Sequence, residues 1–437
     1  MNSPLLSAPI LPMLARLSAP GLLLVAFQTL VSVGDTYFIG HLGTAPLAGL
    51  ALVFPLVMLL QMSSAGAMGG GVSSAIARSL GAGDAARARR LGVHALLIAL
   101  GMAVAFTVLI LAFGAPLYRL LGGEGESLAN ALAYSNILFG GALTVWLANT
   151  LASVLRGSGN MLVPAAALIG AAVIQVPLSG ALVLGWGPMP HLGIAGAAIA
   201  YVTSFALAGV VMALVVFRPS SALRPRGPDF ALDAALFADI LRVGGMSVLN
   251  SFQTVLTAVV LTGFVGHFGA AALAGYGVGV RLELLQIPLV FAVGQALVVL
   301  IGTNIGAGQP GRAKRIAWTG TALAATICLA IGGTAALIPH AWVGLFSTDP
   351  AVLDAGTTYL RIVGPFYSLL GASIALYFAS QGAGRMLRPV LTATARLAIV
   401  VIGGALAASL SAIFAVVAAA ILVSTALMIW VVARARW

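Results

Sequence analysis

The chain has 437 residues, 61% of them hydrophobic and only 7% charged, with a formal charge of +11 and a mean hydropathy of +1.11. Soluble domains carry roughly 25% charged residues, so a water-soluble enzyme or binding module is excluded. A lone cysteine, Cys328, sits in an apolar stretch and can form no internal disulfide.

Apolar stretches close to the roughly 20 residues that cross a hydrocarbon core recur along the whole chain. In order they lie near 15–38, 47–73, 91–114, 128–153, 162–185 and 193–217, then near 240–265, 272–300, 314–339, 354–379, 388–408 and 411–432. Twelve transmembrane helices are predicted, the last two nearly touching. No cleavable signal peptide is expected, because Arg16 leads into a full-length span and no Ala-x-Ala site follows a short one. The 53 glycines suit close helix packing in lipid. Between spans six and seven, the run Arg218-Pro219-Ser220-Ser221-Ala222-Leu223-Arg224-Pro225-Arg226-Gly227-Pro228-Asp229 reads as a polar linker. The expected organisation is an N-terminal lobe over 1–217, a cytoplasmic linker over 218–239 and a C-terminal lobe over 240–437.

The positive charge follows the loops. Arg78, Arg87, Arg89 and Arg90 fall after span two, Arg156 after span four, and Arg218, Arg224 and Arg226 after span six. Arg312, Lys314 and Arg315 follow span eight, Arg385 and Arg388 follow span ten, and Arg434 and Arg436 end the chain. The alternate loops hold chiefly Arg119 with the acids Glu124, Glu126, Asp349 and Asp354. This asymmetry predicts that both termini are cytoplasmic. It also explains the charge without nucleic acid; anionic lipid is a secondary partner of the basic runs.

The two halves repeat each other. Arg156-Gly157-Ser158-Gly159-Asn160-Met161-Leu162-Val163-Pro164 returns 225 residues later (381 − 156) as Gln381-Gly382-Ala383-Gly384-Arg385-Met386-Leu387-Arg388-Pro389. At the same offset Gly81-Ala82-Gly83 returns as Gly306-Ala307-Gly308, each followed by a basic run. Gly40-His41-Leu42-Gly43 returns as Gly266-His267-Phe268-Gly269, one residue out of step (266 − 40 = 226). Six spans per half is an even number, so both repeats enter the membrane in one direction. They should be related by a pseudo-two-fold axis along the membrane normal, and duplicated membrane proteins of this kind are usually transporters.

The run Gly34-Asp35-Thr36-Tyr37-Phe38-Ile39-Gly40-His41-Leu42-Gly43, the two Gly-Ala-Gly signatures and the two Gly-x-Gly-x-x-x-x-Pro turns resemble the multidrug and toxic compound extrusion (MATE) family over essentially the whole chain. The resemblance implies two six-helix lobes and export, by cation antiport and alternating access, of amphipathic, often cationic compounds from the bacterial inner membrane. It is closer to the DNA-damage-inducible F branch than to the NorM branch. A monomer is expected, with no enzymatic activity and no cofactor beyond the coupling ion.

Asp35 is the candidate coupling residue. A carboxylate inside a span costs on the order of 2.5–3.5 kcal/mol by insertion scales, and desolvation disfavours the charged form of any acid. The position 226 residues later is Leu261, so the acid is not part of the shared packing scaffold. Gln28 and Ser32 stand seven and three residues earlier, on the same helix face. Gln61, Asn149, Gln175 and Tyr201 are further polar residues of the N-terminal lobe that could line a cavity with Asp35 or simply bond between helices. Arg281 and Glu283 lie within span eight and do not face each other on one helix; Arg361 lies early in span ten.

Where relatives place further acids, the chain departs from the family. Ala172 and Val176 replace an Asn and an Asp in span five, Tyr201 replaces a threonine in span six, and Thr254 and Leu370 stand where the NorM branch has acids. A Na⁺ site wants several hard oxygens, so coupling to a proton through Asp35 is expected, with Na⁺ as the alternative. His41 and His267 recur at loop positions and are expected to serve turns rather than a metal. No nucleotide motif is present. A lipid-linked precursor flippase would call for a more basic cavity and further spans; a channel would need no duplicated lobes.

Overall fold

The structure is a computed structural model that describes residues 4–435 and 437. Arg436 lies outside the described residues. In lipid no water is at hand for exposed backbone, so each apolar run satisfies its amides internally as a helix. The long helices are α1 (Ile10–Gly40), α2 (Thr44–Gly81), α3 (Ala85–Leu120), α4 (Gly125–Gly140 and Ala142–Gly157), α5 (Leu162–Leu184) and α6 (Ile194–Val216). After the linker come α7 (Ala234–Gly266), α8 (Ala270–Gly306), α9 (Pro310–Leu337), α10 (Pro350–Gly382), α11 (Leu387–Leu406) and α12 (Leu410–Ala433). Among the described residues eleven of these are long and apolar enough to cross a membrane singly, and the bent pair of α4 makes the twelfth.

Helices outrun the apolar stretches because backbone hydrogen bonding continues through charged residues. Asp84 caps α3 by accepting the Arg87 N–H at 2.8 Å, as N-cap acids do. The basic run Arg87–Arg90, expected in a loop, is therefore helical. Likewise α7 begins at Ala234, inside the expected linker, and the linker itself contains a 3₁₀ turn, Gly227–Phe230.

Three helices are interrupted. Segment Gly125–Gly140 of α4 turns by 48° into Ala142–Gly157, and α10 passes through a 3₁₀ turn at Gly364–Phe366. Within α2, residues Met62–Met68 form a π-helical turn.

The duplicated motifs have physical reasons. Gly159 and Gly384 adopt φ +88° and +72°, as do Gly83 and Gly308 at +80° and +70°, backbone that L side chains rarely adopt. A Cβ on Gly157 would lie 2.9 Å from the Ser73 carbonyl, and one on Gly382 would lie 2.7 Å from that of Val298. Gly49 and Gly275 are similarly confined. A Cβ on Gly49 would meet the Ala131 nitrogen at 2.9 Å, and one on Gly275 the Val352 carbonyl at 2.6 Å. Small residues thus let α2 approach α4, and α8 approach α10, through their backbones.

Two compact units emerge, one spanning Ala19–Gly244, the other formed by Gly245 onward with the segment through Ser18. The divisions fall inside α1 and α7, not in the polar linker, which groups with the first unit. The reason is electrostatic. Arg78 and Arg87 meet Asp239 at 2.7 and 3.0 Å, Arg89 meets Asp229 at 2.8 Å, and Arg90 meets Asp233 at 3.1 Å. His94, fully buried, accepts the Asp233 N–H at Nε2 (2.9 Å) and donates from Nδ1 to the Arg90 carbonyl (2.7 Å).

Asp229 is the most enclosed of the three acids. Burial alone would raise its pKa, but the Arg89 guanidinium and the Arg226 N–H at 2.9 Å outweigh it and hold the carboxyl below its usual range. A depressed folded-state pKa contributes stability above the unfolded value of about 4, lost as pH falls through the lower folded value. Asp229→Asn is expected to cost about 1.5–3 kcal/mol at neutral pH, the range for hydrogen bonds to charged groups. The two proteins should converge in acid, as read by thermal unfolding in detergent at both pH values.

Candidate functional site

Asp35 lies near the end of α1, where the helix packs on α5. A Cβ on Gly34 would touch Val176 at 3.4 Å, and Phe38 stacks edge-on against Trp186 at 5.5 Å. Asp35 is only 8% exposed. Gln175 Nε2 donates to Asp35 Oδ2 at 3.2 Å. The Ser204 hydroxyl on α6 is shared between Gln175 Oε1 (2.9 Å) and the Tyr201 carbonyl (2.8 Å). Gln61 Nε2 donates to the Tyr201 hydroxyl. Asn149 Nδ2 on α4 then bridges Gln61 Oε1 at 3.0 Å and Ser64 Oγ at 2.9 Å.

Asp35, Gln175, Tyr201, Gln61 and Asn149 are thus brought into one polar chain across α1, α5, α6, α2 and α4. Ser204, which the sequence did not single out, supplies the missing link; serines are too common in such helices to stand out. From Asn149 the chain continues along α4, where Ser153 Oγ donates to the Asn149 carbonyl at 2.7 Å and Arg156 Nη2 donates to Ser153 Oγ at 2.9 Å. The other oxygen of Asp35, Oδ1, is buried and accepts no hydrogen bond among the described residues. Ser179, one turn beyond Gln175, faces the carboxyl but stands outside hydrogen-bonding geometry.

Gln28 and Ser32 do not join this cluster. Both are exposed, although they share the Asp35 face of α1; the observed contacts with α5 begin at Gly34. Ala172 and Val176 leave the α5 face apolar on either side of Gln175. Among the described residues no group of three His, Cys, Asp or Glu side chains could hold a metal ion. His41 and His267 each bond through Nδ1 to the carbonyl four residues earlier, Tyr37 and Gly263, at 2.9 Å, so both close helix ends.

Arg281 and Glu283 belong to the other unit. Arg281 is exposed and stacks over Phe346 at 5.4 Å. Glu283 accepts from the Tyr359 hydroxyl at 3.0 Å and approaches Arg396 Nη2 at 3.9 Å. Arg396 stands in the middle of α11 and was legible in the sequence, since arginine is rare at that depth of a span. Arg361 is exposed. Leu261, the counterpart of Asp35, is buried.

A family model described as MatE matches residues 20–180 and again 247–406, one match for each half of the repeat. The chain belongs to the MatE family. A relative from Shewanella oneidensis described as an FAD transporter is 31% identical over 381 residues, covering 86% of this chain and 82% of its own. A probable multidrug resistance protein, NorM, from Thermotoga maritima is 25% identical over 389 residues, covering 86% and 81%. A crystal structure of MATE in the bent conformation superposes with a TM-score of 0.90 at 24% identity, over 98% of this chain and 95% of that one, and shows the shared fold. This MatE protein is therefore a multi-pass secondary transporter, not an enzyme.

Proposed function

We propose that this MatE protein exports amphipathic compounds, including cationic ones, in exchange for protons, with Asp35 as the coupling residue. The observation that carries the reading is a buried carboxyl within a span, held by one amide donor and with one oxygen left for a proton. A Na⁺ ion would need several hard oxygens, and Ala172 and Val176 supply none. Substrate and proton then compete: a cationic substrate favours ionised Asp35, and protonation on the outer side favours release. The departures at Ala172, Val176, Thr254 and Leu370 support a reading nearer the DNA-damage-inducible F branch than the NorM branch.

In proteoliposomes, efflux of a cationic dye is expected to follow an imposed pH gradient and to persist without Na⁺. Efflux driven by a Na⁺ gradient at equal pH, and absent under a proton gradient alone, would overturn the proton reading. The charge asymmetry of the loops supports cytoplasmic termini in the bacterial inner membrane. Reporters fused after Arg90 or Arg226 should be cytoplasmic and those near Glu124 or Asp349 periplasmic; the reverse would invert the orientation.

A second reading, export of an anionic flavin dinucleotide, is favoured by the Shewanella oneidensis relative and by Arg281, Arg361 and Arg396 in the helices of the second unit. Competition settles it. FAD that displaces the dye and is itself exported would move the substrate class from cations to anions while leaving Asp35 in its role.

A further inference from the structure

The repeat changes offset inside α2. Gly49 and Gly275, matched by sequence and by their close backbone approach, are 226 apart (275 − 49); Ser73 and Val298, matched by their contacts with Gly157 and Gly382, are 225 apart (298 − 73). Correspondingly α2 has 38 residues and α8 has 37. The extra residue lies between Gly49 and Ser73, and the π turn Met62–Met68 occupies that interval, whereas α8 is a regular α-helix throughout. A π turn closes its hydrogen bonds over one residue more than an α turn, and such bulges concentrate at functional sites. It absorbs the insertion while both flanks of α2 keep the packing of α8.

The same turn is where the polar chain from Asp35 ends on α2. Gln61 is the last residue before it, Ser64 lies within it, and Asn149 bridges the two. The second unit lacks these elements together: Leu261 stands for Asp35, Ile374 for Asn149 (149 + 225), and α8 has no π turn. We propose that the π turn of α2 is the element that responds to protonation of Asp35, with Tyr201, Gln61 and Asn149 as its positioning residues. The inference rests on the coupling role proposed for Asp35.

The chain has a physical means of transmission. An ionised Asp35 accepts from Gln175 Nε2, which leaves Gln175 Oε1 to the Ser204 hydroxyl. When Oδ1 takes a proton from water, the carboxyl becomes a donor. In the proposed switch the Gln175 amide turns to offer Oε1 to this new donor, and the Ser204 hydroxyl gives up that acceptor. Ser204 is bonded to the Tyr201 backbone, and the Tyr201 hydroxyl accepts from Gln61. The extra residue of the π turn has to be accommodated somewhere in α2, and elements with two discrete arrangements amplify small shifts. The titratable groups facing Asp35 are the buried phenols Tyr134 and Tyr201; none of the ion pairs among the described residues involves Asp35.

The test uses full-length protein carrying Cys328→Ser and Ala65→Cys, with no substrate present. Ala65 is half-buried inside the π turn and Cys328 is buried. The maleimide labelling rate of residue 65 is measured in mildly acidic and mildly alkaline buffer, each rate divided by that of the denatured protein in the same buffer. The normalised rate is expected to change about fivefold between the two, equivalent to one hydrogen bond of about 1 kcal/mol. The change should vanish with Asp35→Asn and with Tyr201→Phe, which removes only the hydroxyl that Gln61 reaches. A rate that ignores pH in the parent, or a pH effect that survives either substitution, overturns the proposal.

A second variant deletes Ala65, giving α2 the length of α8. It is expected to stay folded and to bind ethidium, yet to lose uphill efflux under a pH gradient; full efflux would overturn the proposal. Should the deletion fail to fold, the labelling arm decides alone. Failure of the coupling role itself would show differently, as uphill efflux by Asp35→Asn.

Discussion

Asparagine at position 35 is expected to yield a folded protein that still binds and exchanges substrate but cannot drive it uphill. The amide oxygen of asparagine can accept the Gln175 Nε2 hydrogen bond in place of Oδ2, so the polar chain keeps its first link. Stability should change by no more than about 1 kcal/mol, the net worth of one neutral hydrogen bond. What is lost is the ability to alternate between charged and neutral, on which antiport depends. Proteoliposomes loaded with dye and given a pH gradient provide the measurement, with counterflow at equal pH as the control for binding. Uphill efflux at the wild-type level would end the coupling role of Asp35.

A large loss of stability is expected at two duplicated glycines. Gly49 faces Asn130, Ala131 and the Ser127 carbonyl, all within 3.1 Å of where a Cβ would stand; Gly275 faces Val352, Ala355 and Gly356 within 2.7 Å. Several of these atoms are backbone and cannot move aside as a flexible side chain would. Alanine at either site must therefore push α2 from α4, or α8 from α10, at a cost of roughly 1–3 kcal/mol for overpacking. Gly275→Ala should be the more costly, since its three approaches are the shorter. Because the sites lie in different units, the two costs should add in the double variant to within about 0.5 kcal/mol. Thermal unfolding of the three proteins in detergent checks this, and an unchanged melting temperature for Gly275→Ala would contradict the packing account.

Hydropathy alone located every long helix, because a segment that must satisfy its amides in lipid has few alternatives. Helix ends were less legible. The apolar pattern stops at the first charge, whereas Asp84 and the Arg87–Arg90 run are built into the start of α3. Of the candidate site, Asp35 and four amide or phenol partners could be read from the rarity of polar groups in apolar spans. Their connection could not, since it depends on Ser204, one serine among many. Gln28 and Ser32 share the helix face of Asp35, yet a helical wheel cannot say at which turn a neighbouring helix closes over that face. The one-residue change in repeat offset was visible as a number, but its meaning needed the π turn.

The ion pairs that tie Arg78, Arg87, Arg89 and Arg90 to Asp229, Asp233 and Asp239 join residues 140 to 161 positions apart in the chain. At synthesis rates of roughly 5–20 residues per second, the acids emerge on the order of 10–30 seconds after the arginines they neutralise. Throughout that interval α2 and α3 have four positive charges beside them with only Asp84 to offset them, and on the proposed topology this is when orientation would be decided. Only after six helices are placed does the aspartate-bearing segment arrive and cancel that charge. On the proposed topology the same arginines would serve first as a signal to the insertion machinery and later as anchors of a folded unit, and the order of the chain would keep the two uses from interfering.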